Sequence, residues 1–257
     1  MQLPGIVLFC FVILFAQATT VAASSARLTR LTKGVKVARA SESHPAVLNE
    51  TIANGSMIET GAGAQAELRL DTGTIVRLGQ NSVLDLRDLH RMTLRRGAML
   101  VLAPKGSDAQ VATGNVISVV SGTTSLLEHY PEAYIKLISR EGTSRMFMPS
   151  VVGESVLVKA GQLLMFHTKP APTGLPNPVD IDINRLLTTS QLIKGFAPLG
   201  SESSIAEGAR DQKQQKSKGA LADTNLVIFG RGTLVSLVPP AAEATPPPSP
   251  SPTPRRR

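Results

Sequence analysis

Residues 67–82 read Glu67-Leu68-Arg69-Leu70-Asp71-Thr72-Gly73-Thr74-Ile75-Val76-Arg77-Leu78-Gly79-Gln80-Asn81-Ser82. Leu68 and Leu70 alternate with Glu67 and Arg69, and Val76 and Leu78 flank Arg77. A period of two is that of a strand with one face buried and the other wet. Asp71-Thr72-Gly73 and Gly79-Gln80-Asn81-Ser82 carry the residue types that turn a chain, so the stretch reads strand, turn, strand, turn.

The same grammar extends downstream. Leu84 and Leu86 alternate with Asp85 and Arg87, turns follow at Arg96-Gly97 and at Pro104-Lys105-Gly106, and strands are expected over 116–120, 134–139, 145–148 and 155–159. Gly114, Gly122, Gly142, Gly153 and Gly161 punctuate them. Gaps this short cannot hold the helix that a parallel crossover needs, which excludes a doubly wound nucleotide-binding fold. The expected fold class is all-β: a small β-solenoid or a sandwich-like stack of short strands. Asp71, Gly73, Gly79, Gly97, Gly122 and Gly161 are its expected turn-defining residues.

This β domain is expected over 58–168, preceded by a lead-in over 24–57 with a first strand over 33–40. After it, Lys169-Pro170-Ala171-Pro172-Thr173-Gly174-Leu175-Pro176-Asn177-Pro178 marks a boundary. The 169–198 segment should end in one helix from Asp182 to Lys194, capped by Asp180 or Asp182, with Gly195 at the C′ stop. Residues 199–222 are polar and expected as a flexible linker. An apolar hairpin is expected over 223–238, around Gly230-Arg231-Gly232. The 239–257 tail, Pro-rich and closed by Arg255-Arg256-Arg257, is expected to be disordered.

At the amino end, residues 6–15 (IVLFCFVILF) are continuously apolar and are followed by small residues. That is the pattern of a secretory signal over 1–23, with cleavage expected between Ala23 and Ser24. No Lys or Arg precedes the run, while Arg27, Arg30, Lys33, Lys36 and Arg39 follow it, so an uncleaved membrane anchor is the rival reading.

Composition excludes much chemistry. The chain of 257 residues has one Cys and no Trp, and that Cys, Cys10, lies within the apolar leader. Disulfide scaffolds, thiolate metal sites and cysteine nucleophiles are therefore not expected. With 27 Lys plus Arg against 19 Asp plus Glu, the formal net charge is +8. Two Tyr and seven Phe are few for stacking nucleobases, and no helix is available for a DNA groove, so no nucleic acid partner is expected.

Several patterns suggest chemistry and fail on context. Gly61-Ala62-Gly63-Ala64-Gln65-Ala66 has the letters of a dinucleotide fingerprint, but a strand follows it instead of a helix amino terminus. Asp180, Asp182 and Asn184 fit the start of a calcium loop, yet Arg185 stands where that loop needs Gly. His44, His90, His129 and His167 have no paired spacing. No catalytic residue, metal or cofactor is expected. The densest basic cluster, Arg87, Arg91, Arg95 and Arg96, is the candidate partner contact, with a charged edge that discourages strand addition as its plainer reading.

The stretch 55–123 resembles the FecR domain family. Gly55-Ser56-Met57-Ile58-Glu59-Thr60-Gly61-Ala62-Gly63-Ala64-Gln65-Ala66 is similar to its opening turn, residues 67–82 to its most recognisable stretch, Leu94-Arg95-Arg96-Gly97-Ala98-Met99 to its next strand pair, Val120-Ser121-Gly122-Thr123 to its Gly-Thr step, and Val158-Lys159-Ala160-Gly161-Gln162 to its closing turn. Thr72 between Asp71 and Gly73, and Ser121 where the family has Arg, are departures. The resemblance implies a β-rich periplasmic module without an active site. In the best-known members this module follows a cytoplasmic sigma-factor-binding region and a membrane span, and relays a signal from an outer-membrane transporter. With five residues before the apolar run, the expectation here is the exported module alone.

The functional expectation is an exported, non-enzymatic module in the periplasm or cell envelope that binds a protein or an envelope polymer. A membrane contact is expected only if residues 1–23 are retained, which would make the chain an anchored signal-transduction regulator. A third reading is an envelope carbohydrate-active enzyme on a β-solenoid, with two distant carboxylates.

Overall fold

The computed structural model describes residues 25–32, 34–89, 91–170, 172–200, 202–218, 226–229 and 234–237. The apolar leader, the Ala23-Ser24 junction, Lys33, His90, the Gly230-Arg231-Gly232 turn and the Pro-rich tail lie outside the described residues.

Strands follow in close order. The first are β1 (Ser25–Leu31), β2 (Val35–Arg39), β3 (Glu42–Pro45), β4 (Thr51–Ala53) and β5 (Ser56–Thr60). Then come β6 (Ala66–Leu70), β7 (Ile75–Leu78), β8 (Val83–Asp88), β9 (Arg91–Leu102), β10 (Asp108–Thr113) and β11 (Val116–Ser121). The rest of the sandwich is β12 (Thr124–Tyr130), β13 (Tyr134–Ser139), β14 (Thr143–Phe147), β15 (Ser155–Lys159), β16 (Gln162–His167) and β17 (Val179–Asp180).

Pairing sorts these strands into two faces. One sheet runs β4-β1-β6-β7-β9-β12-β13-β16-β17. The other runs β3-β2-β5-β8-β9-β10-β11-β14-β15. All pairs are antiparallel except β9 with β10. Strand β9 belongs to both sheets. Its first half pairs with β8 and β10, and its second half, from Gly97 on, pairs with β7 and β12. The fold is thus a two-sheet sandwich stitched through one long strand, which decides between the solenoid and sandwich expectations.

One core lies between the sheets. Leu28, Leu68, Leu70, Val76, Met99, Leu127, Leu137 and Leu164 from the first sheet meet Val37, Ile58, Leu84, Leu86, Leu94, Val111, Val120 and Met146 from the second. Each such aliphatic side chain contributes roughly 1.5–3 kcal/mol when fully buried.

Four expectations are corrected. Residues 24–57 are not a lead-in: β1, β2, β4 and β5 place Ala26, Leu28, Val35, Val37, Ile52 and Ile58 in the core, so this segment is part of the sandwich. The single helix is two, α1 (Ile183–Thr189) and α2 (Gln191–Lys194), broken at Ser190, whose extended backbone turns Leu192 onto the sheet. Gly195 closes α2 at φ −73°, not in a left-handed stop. The polar stretch after it is helical, α3 (Glu202–Ser217). Its Ala, Glu, Arg, Gln and Lys are good helix formers, and Ala209 docks on Ile183. The hairpin appears as β18 (Leu226–Phe229) paired antiparallel with β19 (Leu234–Leu237).

Of the expected turn residues, Gly73, Gly97, Gly122 and Gly161 have positive φ, and Gly79 does not. Asn81 takes the left-handed position of that turn, and Gly79 ties it to β9 through its N–H, which donates to the Ala98 carbonyl at 2.9 Å. Asp71 ties the turn to β1, its carboxylate accepting from Ser25 N at 3.2 Å.

Candidate functional site

The outer faces of the two sheets differ. On the β4-to-β17 sheet, the outward residues Ala98, Leu100, Leu126, Ile138 and Leu163 pack against Ile181, Leu186, Leu192, Phe196 and Leu199 from the segment after β17. The alternation in β6 and β7 suggested a wet face there, but it is covered at Arg77 and partly at Glu67, while Arg69 stays exposed. Arg77 makes the cover hold. It is 2% exposed and paired with Glu67 at 2.8 Å. Its Nη1 donates to the Leu192 carbonyl at 3.3 Å and its Nη2 to the Ala197 carbonyl at 2.6 Å. Its guanidinium lies 4.7 Å from the centre of the Phe196 ring. A charged residue at a nominally wet strand position thereby becomes the clamp for a segment more than a hundred residues away.

Under the same cover lies a buried ion pair. Glu128 and Lys136 stand opposite each other in β12 and β13, 1% and 0% exposed, with Nζ and Oε2 2.6 Å apart. The Tyr134 hydroxyl donates to the same oxygen at 2.9 Å, and Glu128 Oε1 has no hydrogen-bond partner among the described residues. Burial pushes the Lys136 ammonium well below its ordinary pKa. Burial, and then the neighbouring Tyr130, raises the Tyr134 phenol; burial also raises that of Tyr130.

The outer face of the β3-to-β15 sheet is open among the described residues, and the candidate contact residues lie on it. A bulge in β9 sets Val83 opposite Arg96 and Leu84 opposite Leu94, so Arg95 is the extra residue and both arginines are exposed. Bulges commonly re-aim side chains in this way. Asp85, 8% exposed at its side chain, holds Arg95 at 2.7 Å and Arg87 at 3.2 Å. Arg91 lies in register with Gln110, which faces Val119, then Arg145, then Leu157. Beside that row runs Ala112, Ile117 and Phe147. Leu157 is 46% exposed, and Ile117, Val119 and Phe147 are partly exposed. The structure thus places all four predicted arginines on one sheet face, with Arg91 in register with a partly apolar strip from β10, β11, β14 and β15. The sequence reading missed that strip, whose only signal was the apolar content of both alternating sets in 116–120.

The other candidates resolve into structure. Asp182 caps α1, its Oδ1 accepting from Arg185 N at 3.0 Å, and Asp180 accepts from Gln162 at 3.3 Å. His129 is buried, its Nδ1 bonded to the Leu94 carbonyl at 2.8 Å. His44 pairs with Glu50 at 2.8 Å. Among the described residues no group of three His, Cys, Asp or Glu converges to hold a metal, and no helix is long and apolar enough to cross a membrane.

Residues 56–139 match the family model described as FecR protein, so the resemblance read from the turns and strands is shown for that span. The match runs from β5 to β13 and covers under half of the chain. Two crystal structures of a "putative anti-sigma factor" from Parabacteroides distasonis ATCC 8503 are similar to this chain. They share 16% and 15% identity with TM-scores of 0.44 and 0.43. Each similarity covers 51% of this chain and 62% or 63% of the other, so this chain spans less than two thirds of those proteins. The curated proteins contain no match.

Proposed function

We propose that this chain, whose 56–139 span is a FecR domain, is a regulator of FecR type that works by binding. Its docking surface is the outer face of the β3-to-β15 sheet, and its partner is a protein whose acidic groups flank an apolar strip. One observation carries the reading: among the described residues, the segment after β17 covers one sheet and nothing covers the other, whose outer face carries Arg87, Arg91, Arg95 and Arg96 together with Ile117, Val119, Phe147 and Leu157. Clustered like charge on an exposed face steers an oppositely charged partner, and a neighbouring apolar strip supplies the desolvated centre of an interface. Export into the periplasm or cell envelope belongs to the same proposal, supported by the apolar run at 6–15 and the small residues after it.

The test is photo-crosslinking from position 119 or 157 of the full chain in intact cells of its source. One defined acidic protein should be captured, and the double reversal Arg91→Glu/Arg96→Glu, which spares the Arg95–Asp85 pair, should abolish its capture while leaving the melting temperature in place. Capture of an envelope polysaccharide alone, or capture indifferent to the reversal, would overturn the assignment of a protein partner at this face.

A further inference from the structure

Two turns and the start of a helix converge on the covered side of the sandwich. The turn between β5 and β6, which carries the Gly-Ala-Gly-Ala-Gln motif, and the turn after β7 meet α2 around a cavity of about 300 Å³. Gln65, Gln80, Gln191 and Tyr130 form its polar wall, with Gly79 and Ala98 among the small residues of its lining. That volume is at the small end of ligand pockets, roughly 300–1,000 Å³.

The wall has a definite chemistry. Among the described residues no charged side chain lines it. A charged ligand would lose its water there without a counter-charge. An apolar ligand would cover three amides and offer no partner to their remaining polar atoms. Amides both donate and accept, as hydroxyls do. Gln80 is held by the Gly63 N–H, which donates to its Oε1 at 3.0 Å and leaves its NH₂ group for a ligand. Gln65 is wedged beside Gly195, and its Nε2 lies 3.5 Å from the Gln191 carbonyl.

Tyr130 supplies the remaining element, an aromatic residue that lines the cavity and is 37% exposed. Its ring centre is 5.1 Å from that of Tyr134, and the Tyr134 hydroxyl is bonded to buried Glu128. The Glu128–Lys136 pair therefore anchors Tyr134, against which Tyr130 rests. An aromatic plane beside donor-acceptor amides, without charge, matches a ring that carries hydroxyls at its rim and C–H bonds on its faces.

We propose that this cavity binds a neutral sugar residue, stacked on Tyr130 and hydrogen-bonded by Gln80 and Gln191. The site lies on the sheet opposite the docking face and does not depend on it. The sugar can be free or a unit of a glycan, since both present the same ring.

Saturation-transfer NMR and calorimetry on the full chain decide the matter, using free glucose, galactose, mannose and N-acetylglucosamine in one arm and their neutral tetrasaccharides in the other. At least one neutral sugar should bind; preference for the tetrasaccharide assigns a glycan source and preference for the monosaccharide a free one. Tyr130→Ala and Gln191→Ala should each weaken binding by about tenfold or more. Gln191 is an exposed residue at the start of α2, so its variant separates loss of binding from loss of fold. Failure of every neutral sugar to bind the folded chain, or binding unchanged in both variants, would overturn the proposal.

Discussion

Gly97 faces Ser82 so closely that a Cβ on it would lie 2.3 Å from Ser82 Oγ and 2.5 Å from Ser82 Cα. Ser82 Oγ in turn accepts from Ala98 N at 3.0 Å and donates to the Ala98 carbonyl at 3.1 Å. This contact sits where β9 leaves one sheet for the other, so the crossing of the sandwich depends on a residue without a side chain and a hydroxyl that repairs the interrupted ladder.

Gly97→Ala is therefore expected to cost at least about 3 kcal/mol, since φ is +94° and the clash includes backbone. Adding Ser82→Gly removes the side-chain clash but leaves the Cα, and should not restore stability. Urea melts of the single and double variants check this; a single variant within about 1 kcal/mol of the parent would mean the crossing is not strained.

Arg77→Met keeps the side chain's bulk and removes every bond to the covering segment. The expected loss is about 2–3 kcal/mol, with new protease sensitivity between α1 and α3. Limited proteolysis read by mass spectrometry locates the cut. Cleavage elsewhere first would show that Arg77 is not what holds the cover.

Lys136→Ala strands a carboxylate that is 1% exposed and should cost about 3–5 kcal/mol. The paired replacement Glu128→Gln/Lys136→Met removes both charges at similar volume and should recover most of that loss. Equal damage from the single and double changes would show that packing, not charge, is what matters at this position.

The two tyrosines of the chain are Tyr130 and Tyr134, and no Trp obscures their absorbance. Both phenols are raised above the ordinary value of 10.0 in the fold. A group raised in the folded state adds stability below its unfolded pKa, and that stability fades as pH climbs through the folded pKa. At pH 10 the denatured chain should show about half of its tyrosinate absorbance and the native chain much less. Coincident native and denatured titrations would contradict the burial of this pair.

Much of this protein could be read from order alone. Leu68, Leu70, Val76 and Leu78 alternate because a strand with one face in a core must repeat every second residue, and turn residues at Asp71–Gly73 and Asn81–Ser82 mark where each strand ends. Those local constraints determine the element type and even the family to which 56–139 is matched. Local order could not say what lies over an outward side chain. Arg77 and Arg95 look alike in sequence, each in an alternating strand, yet one is 2% exposed beneath Phe196 and the other is 49% exposed beside Asp85. The difference is made by α1, α2 and the residues after them folding back from far along the chain. The burial of a strand's second face is a property of its distant neighbours, so only the tertiary structure decides which outward side chains are covered and which stay in contact with water.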